Sequence, residues 1–227
     1  MAPTSTLVAI IRNLEMPCEL KPNGMSEETV ALSAHWNHTF NLNQAWPGQF
    51  KRLGYASGTP THEGDFGTIL DSVANALSKN PDWQLTIIGA LNTRLLEQRL
   101  TEELRKRIEF RPLVEHQNLA YELARCTLNL APLEKDNPFC VAKSPLKWFE
   151  AAACGTPTLA TATRTFAEAI KNEETGYLCE SKTDWSNTLG KTLSTPKDII
   201  TVTDTSVYNL REETLTRNFL LPVLRGG

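Results

Sequence analysis

Two alternating patterns of hydrophobic and polar residues run along the chain from about residue 51 to residue 193. Short apolar runs rich in β-branched residues are each followed by a segment with helical periodicity, which is typical of βαβ units. The runs predicted to be strands cover residues 52–56, 84–89, 108–111, 127–131, 156–160 and 175–179. Alternating strands and helices with short connections predict a parallel sheet that carries helices on both faces.

The segments between these strands have helical spacing. From Phe66 to Leu77, apolar residues recur at intervals of three and four and form one stripe suited to packing on a sheet. Further helices are predicted over residues 95–106, 117–125, 144–154, 166–172 and 184–193. The predicted fold class is α/β, with a Rossmann-like, doubly wound parallel sheet of about six strands, whose ligands sit beyond the carboxyl ends of the strands.

The two ends of the chain have a different pattern. The first 45 residues contain an apolar helical stretch over 7–14, a short strand candidate at 18–20, and a polar helix after the turn Pro22-Asn23-Gly24. The C-terminal end is less patterned, although residues 218–224 are apolar. We therefore divide the chain into an N-terminal flank (1–45), a central α/β domain (46–195) and a C-terminal extension (196–227).

Charge and cysteine usage exclude several classes of partner. The 227-residue chain has 23 Lys and Arg against 26 Asp and Glu, a formal net charge of −3, so nucleic acid is not an expected partner. Five scattered cysteines without a CxxC pair indicate reduced thiols rather than a disulfide framework or a zinc site. No apolar run reaches the roughly 20 residues of a membrane span, and the start lacks the basic region of a signal peptide. We expect a soluble, cytoplasmic protein.

The segment from Lys143 to Pro157 carries the most informative chemistry. Ser144 is a suitable N-cap and Pro145 a suitable first helical residue, so a helix should begin there with its positive end at the sheet edge, where anions bind. Lys147 and Glu150 are three residues apart and are neighbours on one helix face, predicted to face solvent. They fit either an anion site or an ordinary exposed Lys-Glu pair. Lys143 fits either a point charge for a diphosphate or a solvated loop lysine.

A second polar segment follows the first predicted strand. The loop Ser57-Gly58-Thr59-Pro60-Thr61 precedes a helix, so its N–H groups and hydroxyls can cradle phosphate oxygens. The alternative is an ordinary turn that caps the helix. The loop is not GxGxxG, so a dinucleotide-binding fingerprint is not indicated. The next residue, His62, fits a helix start better than a catalytic base.

These segments resemble a known family. Residues 143–157, with an SxLKxxE core followed by Ala-Ala-Ala-Cys-Gly-Thr-Pro, resemble the signature helix of family 4 glycosyltransferases in the GT-B superfamily. Residues 55–66 resemble the first loop of their donor-binding domain, and Pro22-Asn23-Gly24 is similar to the tripeptide that closes their N-terminal domain. Order and spacing agree over about residues 5–195. Ala142 stands where many members carry the first acid of an E-x7-E pair, so the chain looks like a Lys-containing variant.

The resemblance implies one half of a GT-B fold, namely the C-terminal donor-binding domain of a retaining glycosyltransferase of the hexosyltransferase type. Its substrate would be a UDP-, GDP- or dTDP-sugar, and it would need no cofactor and no metal. The full enzyme would take part in the synthesis of a bacterial surface polysaccharide or glycan. The N-terminal acceptor domain is expected to be missing from this chain. The alternative is a non-catalytic nucleotide-sugar-binding module that lacks an acceptor domain.

The resemblance also implies the roles of particular residues. Glu150 and Lys147 would be the catalytic pair, and Glu150 would accept hydrogen bonds from ribose or sugar hydroxyls. The main chain of residues 111–114 would contact the nucleobase. The implied donor-binding residues are Ser57, Gly58, Thr59, His62, Lys143, Ser144, Lys147 and Glu150. Peripheral membrane association of the full enzyme and a homodimer through the flanks are left open, because the apolar flanks can pack on each other, on the sheet domain or on a second copy.

Overall fold

The computed structural model describes residues 1–42, 51–59 and 63–195. Within these ranges the chain forms a single sheet of six parallel strands, in the order β3-β2-β1-β4-β5-β6. The strands are β1 (Lys51–Ser57), β2 (Trp83–Gly89), β3 (Ile108–Arg111), β4 (Leu128–Ala131), β5 (Thr158–Thr161) and β6 (Tyr177–Cys179). All six lie where the apolar runs predicted them. The order is that of a Rossmann fold, so the predicted fold class is confirmed.

Helices connect the strands and also form the N-terminal flank. They are α1 (Ser5–Asn13), α2 (Glu27–Leu42), α3 (Glu63–Gly67), α4 (Leu70–Lys79), α5 (Arg94–Arg99), α6 (Glu102–Arg105), α7 (His116–Ala124), α8 (Pro138–Val141), α9 (Leu146–Ala153), α10 (Arg164–Ala169) and α11 (Lys182–Ser194). The short helix α8, in the connection after β4, was not predicted.

Three predicted helix boundaries were wrong for local reasons. The helix predicted over 66–77 is interrupted between α3 and α4, where the Thr68 hydroxyl donates to the Asp65 carbonyl at 2.7 Å and competes with helical bonding. The helix over 95–106 divides at Thr101, whose side chain accepts from the Leu104 N–H and caps α6. Helix α9 begins two residues later than predicted: Pro145 holds the N-cap position and no side chain caps it there.

The core lies on both faces of the sheet, as the pleat of the strands requires. Along β4, Leu128 and Leu130 join a cluster with α4 and α11, whereas Ala131 joins a second cluster that contains Trp148 and Phe149 of α9. Neighbouring strands alternate in the same way. Helices α4 and α11 therefore cover one face and α9 and α10 the other, which confirms the doubly wound architecture.

The N-terminal flank packs on the sheet domain, which is one of the three alternatives that the sequence left open. Trp36 of α2 meets Tyr121 of α7 edge to face, with ring centroids 4.9 Å apart. The hydroxyl of Thr4, the residue that precedes α1 in the sequence, donates a hydrogen bond to the Ala142 carbonyl at 2.9 Å. The strand candidate at 18–20 forms only an isolated bridge between Leu20 and Ala2.

The apolar segment 218–224 and the rest of the C-terminal extension lie outside the described residues, so their expected packing stays a prediction. Among the residues that are described, every helix is too short or too polar to cross a bilayer.

Candidate functional site

The candidate site lies at the carboxyl edge, which is the edge of the sheet where the parallel strands end. Strands β1 and β4 are neighbours there, although the chain leaves β1 toward β2 on one side and β4 toward β5 on the other. Such a reversal opens a crevice beyond the strand ends, and doubly wound sheets bind their ligands in it. The loop after β1, the segment between β4 and α9, and the start of α9 lie at this edge.

The loop after β1 is held in place by β2. The Ser57 carbonyl accepts the Ala90 N–H at 2.8 Å, and Gly89 lies directly against it with a φ of +94°. The buried Ser57 hydroxyl donates to the Thr59 carbonyl at 2.9 Å. A side chain built at Gly58 would meet no atom of residues 1–42, 51–59 or 63–195 within 4 Å, so these residues leave space where a ligand can approach the backbone. The structure therefore brings Ser57, Gly58 and Thr59 to the crevice. His62 lies outside the described residues.

Lys143 lies between α8 and α9, where it forms an ion pair. Its Nζ is 3.2 Å from Asp65 Oδ2 and 5.2 Å from the centroid of the Phe139 ring. Asp65, in the first turn of α3, is only 2% exposed. The sequence analysis gave Asp65 no role, although it belongs to the segment 55–66 that carries the family resemblance. A solvated loop lysine is the wrong description of Lys143.

Lys147 points into the molecule rather than into solvent. Its Nζ is buried, has no hydrogen-bond partner among the described residues and lies 4.4 Å from the centroid of the Tyr55 ring. The pKa of Lys147 is lowered to about 8, chiefly by burial; Lys143 contributes to the lowering, while Asp65 and Glu150 oppose it. The predicted solvent-facing orientation is therefore wrong for this ammonium. A buried cation without a partner is costly unless an anion joins it.

Glu150 turns toward a different part of the crevice. Its side chain is 19% exposed, and Oε1 lies 3.5 Å from His116 Nε2 at the start of α7. Burial raises the pKa of Glu150, while His116 and Lys147 act in the opposite direction. The sequence analysis missed His116; its place at the start of the helix after β3 was the available signal. Lys147 thus faces β1 while Glu150 faces α7, so the two do not behave as an ordinary exposed pair.

Ser144 stands apart from the other predicted residues. It does not cap α9, and it lines a cavity of about 320 Å³ between the N-terminal flank, α9 and α10. Lys143, Lys147 and Glu150 do not line that cavity. The predicted N-cap role of Ser144 was wrong because the helix starts at Leu146, after a proline whose ψ is 41°.

One group of side chains at this edge has the chemistry of metal ligands. Single ligand atoms of Asp65, Glu134 and Cys140 lie within 4.8 Å of one another. However, the ammonium of Lys143 already neutralises Asp65, and Cys140 Sγ donates to its Oδ1 at 3.3 Å. The arrangement is better matched to an anion than to a cation, since two ammonium groups and an open glycine loop meet at the strand ends.

The sheet order defines a Rossmann-like domain, and two lysines lie beyond the ends of its central strands. The chain belongs to the family described as glycosyl transferases, group 1, whose model matches residues 57–198. This confirms the predicted family resemblance. A search of curated proteins found no significant match.

Solved structures of glycosyltransferases share the fold. HepE of Anabaena, solved in complex with UDP, aligns with a TM-score of 0.73 at 13% identity over 99% of this chain and 63% of its own. WaaG, a glycosyltransferase involved in lipopolysaccharide biosynthesis, aligns with a TM-score of 0.67 at 16% identity, over 100% of this chain and 62% of its own. The C-terminal domain of LpcC from Francisella tularensis aligns with a TM-score of 0.54 at 19% identity, over 79% of this chain and 90% of its own. The chain therefore spans less than two thirds of the length of HepE and WaaG.

Proposed function

We propose that this chain binds a nucleotide sugar at the carboxyl edge and serves as the donor-binding domain of a retaining glycosyltransferase of the hexosyltransferase type. The observation that carries the proposal is the buried ammonium of Lys147 at the switch point between β1 and β4, to which no group in the described part of the chain is hydrogen-bonded. A diphosphate is the anion that suits it, because Lys143 and the open space at Gly58 lie at the same edge. The HepE structures, one with UDP and another with UDP-glucose, support this choice of ligand.

The two lysines, Glu150 and the main chain of residues 111–114 each have a task in the proposed function. The ammonium groups of Lys143 and Lys147 hold the diphosphate and stabilise the negative charge that grows on it as the sugar departs. They supply positive charge at the leaving group, so the proposal includes no metal. Glu150 accepts hydrogen bonds from ribose or sugar hydroxyls, and the main chain of residues 111–114 contacts the base.

Synthesis of a bacterial surface glycan is the process we propose. Its support is the similarity to WaaG, which takes part in lipopolysaccharide biosynthesis. A second candidate is a nucleotide-sugar-binding module without catalysis, since the ammonium groups of Lys143 and Lys147 account for binding of the donor alone. The two candidates differ in one measurable property, since only the first requires sugar transfer once an acceptor-binding domain is supplied.

The first prediction concerns nucleotide binding by the chain alone. UDP, GDP or dTDP should raise the melting temperature, because a ligand at about 100 times its Kd stabilises the folded state by about 2.7 kcal/mol. Transfer to an added acceptor should be slow or undetectable, because catalysis needs both reactants in one geometry. The free nucleosides are the control and should give no shift. A panel in which no diphosphate shifts the melting curve would contradict the proposed function.

The second prediction concerns Glu150→Gln. Affinity for a nucleotide sugar should fall by about 10- to 100-fold, because hydrogen bonds to a charged group contribute about 1.5 to 3 kcal/mol. The melting temperature should stay close to that of the wild type, since the substitution keeps the size of the side chain. Isothermal titration calorimetry with UDP-glucose measures the change. The matched control is Glu102→Gln, which removes a carboxylate that is 68% exposed on α6, and equal affinities in the two variants would remove Glu150 from the site.

A further inference from the structure

Asp65 connects three parts of the carboxyl edge through a single buried carboxylate. Its Oδ1 accepts the Glu134 N–H at 3.0 Å and the thiol of Cys140 at 3.3 Å. Its Oδ2 lies 3.2 Å from the Nζ of Lys143. One side chain of α3 therefore fixes the loop after β4, the helix α8 and the first of the two site lysines, although 69 or more residues of sequence separate them.

The same carboxylate acts on the second lysine. Five groups from the surrounding elements act on the charge of Lys147: Asp65 of α3, Lys143, Cys140 of α8, Glu150 of its own helix, and the Tyr55 ring of β1, which Nζ contacts. Of these, Asp65 raises the pKa of Lys147 the most, ahead of Glu150, whereas Lys143 lowers it. Two ammonium groups thus compete for the field of one buried carboxylate. This follows from Coulomb interactions in a region that water does not screen.

We propose that Asp65 is a positioning residue, which fixes Lys143 by an ion pair and acts as the counter-ion that keeps Lys147 cationic until a diphosphate binds. This inference rests on the proposed function. Asp65 does not touch the substrate in this proposal; it acts through the two lysines.

The test is the pH dependence of UDP-glucose affinity, measured by calorimetry between about pH 6.5 and 9, where the diphosphate diester does not titrate. Wild-type affinity should fall as the pH rises through about 8, because the falling fraction of protonated Lys147 removes charge from the site. Asp65→Asn keeps an acceptor for Glu134 and Cys140 but removes the counter-ion, so the midpoint should move down by about one pH unit. Lys143→Met removes the competing cation, so the midpoint should move up, although overall affinity is weaker.

These opposite shifts separate positioning from a purely structural role. Asp71→Asn is the matched control, because that carboxylate is 77% exposed on α4 and pairs with Arg99, and its midpoint should equal that of the wild type. If Asp65→Asn lowers affinity by the same factor at every pH, or if neither variant moves the midpoint, the proposal is wrong and the proposed function still stands. If Asp65→Asn alone does not fold, the double variant of Asp65→Asn with Lys143→Met decides the matter: its midpoint should lie below that of Lys143→Met, and equal midpoints would overturn the proposal. If the wild type binds no nucleotide sugar at any pH, both fail.

Discussion

Replacing Lys147 with methionine should weaken the binding of nucleoside diphosphates by about 10- to 100-fold and, at the same time, make the protein more stable. The loss of affinity follows from the loss of an ammonium that makes charge-assisted hydrogen bonds to phosphate oxygens, worth about 1.5 to 3 kcal/mol. Methionine has a similar length and fills the same space. The contact of the side chain with the Tyr55 ring is therefore kept, while its charge is removed.

The gain in stability follows from the lowered pKa of Lys147. The unfolded chain binds this proton with the ordinary pKa of 10.5 and the folded chain with a pKa of about 8, so at pH 7 the charged side chain costs the fold about 3 kcal/mol. Because the unfolded state binds more protons between these two values, the free energy of unfolding of the wild type should rise with pH from about 8 to 10.5. Lys147→Met should lack that rise and should be more stable than the wild type at pH 7.

Urea denaturation at several pH values and calorimetry with UDP measure the two effects on the same samples. The control is Lys79→Met on α4, an exposed lysine whose loss should change neither quantity. An unstable Lys147→Met variant would mean that the ammonium is a structural partner. Unchanged affinity would mean that the diphosphate does not reach it.

The strands could be predicted from the sequence because a buried parallel strand has a local signature, a short apolar run bounded by polar residues. The orientation of Lys147 could not be predicted in the same way. Spacing shows which residues share a helix face, but not which face meets the strand ends, and the delayed start of α9 changed the expected geometry. Of the two large apolar residues three positions apart on α9, Leu146 is 39% exposed while Phe149 is buried.

The role of Asp65 was hidden from sequence analysis for a different reason. Three strands, β2, β3 and β4, separate Asp65 in the sequence from its partners Glu134, Cys140 and Lys143, and only the sheet order brings these partners beside α3. An acid two residues into a helix is ordinarily explained by the helix dipole. Nothing in local spacing distinguishes that common case from a buried counter-ion.

Gly89 determines the shape of the loop after β1, and Gly89→Ala should destabilise the protein by about 3 kcal/mol. Its φ of +94° lies in the region that favours glycine, and an added Cβ would overlap the Ser57 carbonyl oxygen. That oxygen belongs to the backbone of the central strand, so it cannot rotate away as a flexible side chain would. Relief requires a shift of the register at Ser57 and Gly89 or of the loop itself.

A second glycine, at a position without a clash, provides the control for this effect. Gly190→Ala adds the same methyl group within α11, where no atom lies within 4 Å, and should stabilise the protein by about 0.5 to 1 kcal/mol. Urea denaturation compares the stabilities of the two variants. Calorimetry should find weaker UDP binding in the folded fraction of Gly89→Ala but not of Gly190→Ala, because the clash at residue 89 displaces Ser57 at the start of the loop after β1. Equal stabilities in the two variants would mean that the backbone at Ser57 yields without cost. The loop would then be too flexible to hold phosphate oxygens in a fixed geometry, which is the role proposed for it.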